Sequence, residues 1–170
     1  MLETERLRIR RFGLDDAPFV LELINDPEWH RFIGDRGVRT LEGARGYIEK
    51  SLLSLYERLG FGLDLVELKD SGEPVGMCGL IKRDTLEHVD IGFAFLPAAR
   101  GRGYAYESAL AVRDYAIDEL GLDRLVAITS PDNDASGKLL LRLGFQYKDT
   151  IPWGTEGELS KLFDYDPQRL

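Results

Sequence analysis

The segment Phe95-Leu96-Pro97-Ala98-Ala99-Arg100-Gly101-Arg102-Gly103-Tyr104-Ala105 carries the most legible chemistry in this sequence. An apolar stretch ends at a proline, a basic turn with two glycines follows, and helix-forming residues begin inside the turn. The first turn of a helix leaves backbone N–H groups unpaired and carries a partial positive charge. Gly101 and Gly103 lack the Cβ that would keep a phosphate away from those groups, and Arg100 and Arg102 add charge. The chemistry that suits this pattern is the binding of a diphosphate. A flexible basic turn ahead of a surface helix has the same composition, so the turn alone leaves both readings open. Two other phosphate motifs fail. The dinucleotide fingerprint needs a glycine where Tyr106 stands, and a P-loop needs a glycine at Asp132 and a hydroxyl residue at Leu139.

The elements around this turn follow from periodicity. Arg6 to Phe12 alternates apolar and charged residues, which predicts a first strand. Asp15 and Asp16 offer an N-cap for a short helix through Ile24, and Pro27 suits the first turn of another reaching about Ile33. Thr40 is placed to cap a long helix to Arg58, with Tyr47, Ile48, Leu52, Leu55 and Leu59 at helical spacing and Gly60 as the stop. Phe61 to Lys69 and Pro74 to Lys82 form a hairpin about Asp70-Ser71-Gly72-Glu73, and His88 to Leu96 is the next strand. A helix through Ala105, Ala109, Val112 and Ala116 runs toward Gly121. A strand from Leu125 to Thr129, a helix from Ala135 to Leu143 and strands Phe145 to Ile151 and Glu158 to Tyr165 complete the chain. The expectation is a mixed α/β sheet (α+β in its strand order) with helices on its faces. Residues 1–170 form a single domain in this reading, with no linker dividing them.

Composition narrows the function. Cys78 stands alone, and His30 and His88 are far apart, so neither a disulfide framework nor a metal-ligand cluster is expected. A net charge of −8 argues against nucleic-acid backbones and is compatible with a cationic amine substrate. No apolar run approaches the ~20 residues of a membrane span, and the charged opening lacks a signal segment. A cytoplasmic protein without membrane partners is the expectation.

The form Arg-x-x-Gly-x-Ala, from Arg100 to Ala105, resembles the coenzyme A signature of the GNAT superfamily of N-acetyltransferases. Asp90-Ile-Gly-Phe-Ala-Phe-Leu-Pro97 is similar to the strand that precedes the signature in the RimJ/RimL-like branch. Asn133-Asp-Ala-Ser136, followed by Leu143-Gly-Phe145, resembles the family's second landmark, and Leu2-Glu-Thr-Glu-Arg-Leu-Arg-Ile-Arg its opening. The resemblance implies a twisted, mostly antiparallel sheet splayed between the Asp90 and Leu125 strands, the fourth and fifth counted from Arg6. It implies acetyl-CoA in that splay, held by Phe95, Leu96, Arg100, Gly101, Arg102, Gly103, Tyr104, Ala105 and Asn133. A bulge near Phe95 would free backbone groups for the pantetheine arm. Asn133 would serve equally as a helix cap.

The reaction so implied joins an acetyl group to a primary amine, on a protein N-terminus or a small molecule. Amines are mostly protonated at neutral pH, so the site must accept a proton and release a thiol. Asp90 shares strand parity with Gly92 and Ala94, opposite the apolar Ile91, Phe93 and Phe95, and is the best base candidate. A solvated carboxylate or an arginine's partner are its alternatives. Glu67 is a second candidate base, and Glu87 reads as a loop charge. Where many relatives carry a tyrosine as general acid, this chain has Leu140, and the resemblance offers Ser136 instead. Ser136 would equally bond its own helix backbone. Cys78 reads as a packed side chain. Trp29, His30 and Phe32 lie where the family binds acceptors, though an aromatic short helix also suits a core. A rival reading keeps the acyl-CoA site without transfer, as a sensor or interaction module. Strands near the C-terminus allow a homodimer.

Overall fold

The computed structural model describes residues 1–169. Strands β1 (Leu2–Glu3), β2 (Leu7–Arg10), β3 (Leu63–Leu68), β4 (Pro74–Ile81), β5 (Asp90–Phe95), β6 (Leu125–Thr129), β7 (Gln146–Pro152) and β8 (Leu159–Tyr165) build one sheet. Its order is β1-β2-β3-β4-β5-β6-β8-β7. Every neighbouring pair is antiparallel except β5 and β6, which are parallel. A parallel pair needs a long crossover, and α5 (Tyr104–Asp118) supplies it. Strand β1 is two residues long, too short to leave an alternation in the sequence.

Alternation along each strand sends side chains to two separate cores. One face carries Leu65 and Met77 against α1 (Ala17–Ile24), α2 (Pro27–Phe32) and α3 (Leu41–Tyr47), with Phe19, Val20, Leu23, Ile24 and Trp29 in the contact. The other carries Ile9, Val66, Cys78, Ile91 and Phe95 against α5, and extends to α6 (Asp134–Arg142) through Leu140, Leu143 and Phe145. Helices thus cover both faces.

Thr40 Oγ1 accepts a hydrogen bond from the Gly43 amide at 3.0 Å, so the expected cap forms. The helix it opens is interrupted: α3 passes through a π-helical stretch, Ile48–Leu53, before α4 (Ser54–Leu59) and the left-handed stop at Gly60. The widened turn keeps Ile48, Leu52 and Leu55 buried on one side. The bulge expected near Phe95 does not occur. Register runs unbroken from Asp90 opposite Ile81 to Phe95 opposite Gly76. The irregularities lie at Val66/Glu67 and at Tyr147/Asp149.

Candidate active site

Strands β5 and β6 part almost as soon as they meet. Asp90 and Val126 are their one register pair, reinforced by the Val126 amide donating to the Val89 carbonyl at 3.0 Å. Beyond that point Ile91 to Phe95 pairs with β4 alone, and Ala127 to Thr129 with β8 alone, among the described residues. The facing edges form a fork whose free backbone groups need partners. Five residues of strand present an edge of about 16 Å, which suits an extended, amide-bearing arm. The hydroxyl of Thr129, at the end of β6, is buried without a hydrogen-bond partner.

The glycine turn closes the open end of β5. Leu96 is extended, Pro97–Ala99 makes one tight helical turn, and Gly103 starts α5 at φ 83° with no side chain capping the helix. The first-turn amides of α5 are therefore uncapped, and the helix dipole favours an anion there. Gly101 has φ 74°, and a Cβ built on it would meet nothing within 4 Å. The space above the turn is open. Tyr104 and Ala105 form the first turn of α5, and both pack partly against the core.

The two turn arginines differ. Arg100 is paired with the buried carboxylate of Asp26 and, at 3.1 Å, with Glu28, so it ties the turn to the start of α2. Arg102 is exposed, and its Nε donates to the Ala98 carbonyl at 3.1 Å. A third guanidinium was not apparent from the motif. Arg6 donates to the Arg102 carbonyl at 2.9 Å, pairs with Glu107 at 2.7 Å and lies over the Tyr104 ring. Nearly a hundred residues separate it from the turn. Its one sequence signal was its place in the opening segment.

Asp90 sits at the apex of the fork, 3% exposed, and accepts from Arg83 Nε at 2.9 Å through Oδ2. Burial pushes its pKa up, and the Arg83 charge opposes the shift without cancelling it. Glu67 is held between Arg8 at 3.3 Å and Arg10 at 3.2 Å, which makes it a structural ion partner. Glu87 is exposed, 3.9 Å from His88.

Across the fork, Asn133 Oδ1 caps α6 by accepting from the Ser136 amide at 3.2 Å. Its side-chain oxygen is committed, which leaves the amide NH2 for a ligand. Ser136 is half-buried on the helix face that carries Leu140 and Leu143 inward. Leu140, at 1% exposure, fills the core. Cys78 is fully buried, and burial pushes its thiol up to about 12, so it offers no thiolate.

Trp29 belongs to the core at 5% exposure, with its indole N–H unpaired. His30 and Phe32 are half-buried, and His30 Nε2, 3.8 Å from Asp35, is buried without a hydrogen-bond partner. The adjacent Arg31 pairs with Asp132 at 3.1 Å, linking α2 to the β6–α6 loop. A further buried carboxyl lies away from the fork. Asp64 is pushed up to about 6 by burial and lines a cavity of about 90 Å³ with Met1, Val112 and Tyr115, on the α5 face. Among the described residues, no group of three or more His, Cys, Asp or Glu could hold a metal, and no helix is long and apolar enough to cross a membrane.

A parallel fork closed by an uncapped glycine turn offers free strand edges to an extended, amide-bearing arm and first-turn amides to an anion. The sequence matches the Acetyltransferase (GNAT) domain over residues 6–146, so the chain belongs to that family of acetyltransferases, and its coenzyme is acetyl-CoA. It is 30% identical over 152 residues to an uncharacterized N-acetyltransferase, YoaA, of Bacillus subtilis, covering 89% of this chain and 85% of that one. A GNAT-family acetyltransferase from Bacillus anthracis superposes with TM-score 0.81 at 26% identity, covering 98% of both chains. RimL, a ribosomal L7/L12 α-N-protein acetyltransferase solved with coenzyme A, shares the fold with TM-score 0.81 at 17% identity, over 96% of this chain and 95% of that one. Two further ribosomal-protein acetyltransferases, from Vibrio cholerae and Vibrio fischeri, share the fold at 21% and 18% identity.

Proposed function

We propose that the acceptor is a primary amine, on a protein N-terminus or a small molecule, and that it attacks the thioester directly in a ternary complex. When bound, acetyl-CoA supplies the activated acyl carbon. The free edges of β5 and β6 would bind its arm, through Phe95 and Leu96 among others. The amides of Gly101 to Ala105, with Arg102, would hold its diphosphate. Arg100 keeps the turn in place from behind, and the Asn133 NH2 would contact the coenzyme from α6.

The observation that carries the reading is Asp90: a buried carboxylate at the fork's apex, its affinity for a proton raised, with one oxygen committed to Arg83. In the transfer a C–N bond forms and a C–S bond breaks. The amine's proton leaves through Asp90, directly or by one water, and the sulfur departs as a thiol once protonated. Ser136 is the side chain assigned to that second proton, from the core-facing side of α6. The test is thiol release from acetyl-CoA with amines and with their hydroxyl and thiol counterparts. Amines are expected to be turned over and the counterparts not; release driven equally by hydroxyl compounds would reject the amine assignment.

A further inference from the structure

The fork opens toward the C-terminal ends of β5 and β6, and each end leads into a segment proposed above to touch the coenzyme. After β5 come the tight turn Pro97–Ala99 and then Gly101 and Gly103. After β6 a turn runs from Ser130 to Asn133, closed by the Asn133 amide donating to the Ser130 carbonyl at 3.0 Å. Among the described residues no strand pairing joins these two lips, because β5 and β6 share only the Asp90–Val126 pair at the closed end. Something else must fix their separation.

The helix α2 reaches both lips. At its start Asp26 and Glu28 pair with Arg100 of the glycine turn, the second at 3.1 Å. A turn later Arg31 pairs with Asp132 Oδ2 at 3.1 Å. The other oxygen of Asp132 accepts from Ser130 Oγ at 2.8 Å, which fixes it within the turn that carries Asn133. Asp26 is the N-cap residue of α2, yet its side chain does not cap the helix. It forgoes the stabilisation a cap would give and lies 8% exposed against the Arg100 guanidinium instead. From Asp26 to Arg31 the helix rises roughly 7 Å. With Arg100 reaching in from one lip and Arg31 reaching out to the other, it spans the open end.

We infer that α2 is a strap across the open end of the fork, with Asp26 and Arg31 as positioning residues for the coenzyme. The strap sets the spacing between the glycine turn and the Asn133 turn, so a ligand that touches both meets them already placed and spends less binding energy on ordering them. This rests on the reading that acetyl-CoA lies in the fork. Its consequence is that charged residues of α2 act on coenzyme affinity without touching the coenzyme.

Charge and positioning predict opposite signs here. Asp26 and Asp132 are carboxylates near an anion site, so removing either should tighten coenzyme binding if charge alone matters. As parts of a strap, both should weaken it when neutralised. By calorimetry with acetyl-CoA, Asp26→Asn is expected to lose about tenfold in affinity, since its pair is buried. Asp132→Asn should lose about threefold, because its pair is exposed and partly screened. The partners of that second pair are 62% and 59% exposed, so their variants should fold even if Asp26→Asn does not. Arg31→Glu and Asp132→Arg should each weaken binding alone, and the double variant, with wild-type net charge, should recover most of the loss. Affinity unchanged or raised in Asp132→Asn or in a folded Asp26→Asn, or a double variant no better than its weaker single, would overturn the strap. The fork reading would then still stand if Gly101→Asp, whose effect needs no strap, abolishes binding. Wild-type affinity in Gly101→Asp would overturn both.

Discussion

Replacing Asp90 with asparagine separates the two roles this residue can have. The side chains have nearly the same shape, and the asparagine oxygen can still accept from Arg83 Nε across 2.9 Å. The packing of a 3% exposed position is therefore kept. The ion pair is lost, but Arg83 is 40% exposed and can turn to water, while the cost of burying a charge disappears. These effects offset one another, and stability should change by no more than about 1 kcal/mol. Turnover should fall by about 10²-fold or more, because an amide cannot accept the proton. The pH profile sharpens the comparison. The base works only when ionised, so wild-type kcat falls as pH drops through the Asp90 pKa, which burial has raised above the usual carboxylate range. The variant should lose that limb and keep the one at higher pH that comes from deprotonation of the amine itself. Linkage gives the opposite sign for stability. A carboxylate whose pKa is higher in the folded protein makes folding more favourable as pH falls through that folded pKa, and Asp90→Asn should remove this contribution. Thiol-release kinetics across pH, with acetyl-CoA affinity measured by calorimetry, decide the matter. Unchanged turnover with the same acid limb would make Asp90 only the partner of Arg83.

The glycine turn gives a second test. Gly103→Asp would place its carboxylate next to Arg6 Nη2, since a Cβ there lies 3.2 Å from that atom, so a new ion pair would blur the outcome. Gly101→Asp points into open space and should abolish acetyl-CoA binding by calorimetry, at a strain cost of about 1–2 kcal/mol for its positive φ. Trp29→Ala should destabilise the protein by about 3–5 kcal/mol in denaturant titration, because the ring lies in the α1–α3 core. A loss below 1 kcal/mol with an altered acceptor KM would return Trp29 to the acceptor groove.

The sequence was most informative where one short segment had to do several things at once. The alternation from Asp90 to Phe95 placed both faces of β5, and the turn from Arg100 to Ala105 was legible because its glycines and its helix start are consecutive. The β6 strand and the caps at Thr40 and Asn133 follow from equally local patterns. What escaped are properties of long-range contact. Arg6 reaches the turn from the first strand region, and Arg100 meets Asp26 rather than solvent. The approach of Trp153 to Arg83 joins two loops and leaves no spacing to read. Asp64, within Leu-Asp-Leu, looks like any charge in a strand until packing buries it. Trp29 also shows the limit of position alone, since an aromatic residue near an expected groove faces the core instead.

The most direct measurement of the central claim, that acetyl-CoA lies in the fork between β5 and β6, is amide hydrogen exchange with and without the coenzyme. Those free-edge amides lack strand partners, and a bound arm would give them some. Protection is expected at the free-edge amides within Ile91 to Phe95, from Gly101 to Ala105 and in Ala127 to Thr129, with little change in β2 or β3. Protection confined to other segments, such as those around the Asp64 cavity, with the fork left unchanged, would contradict the account.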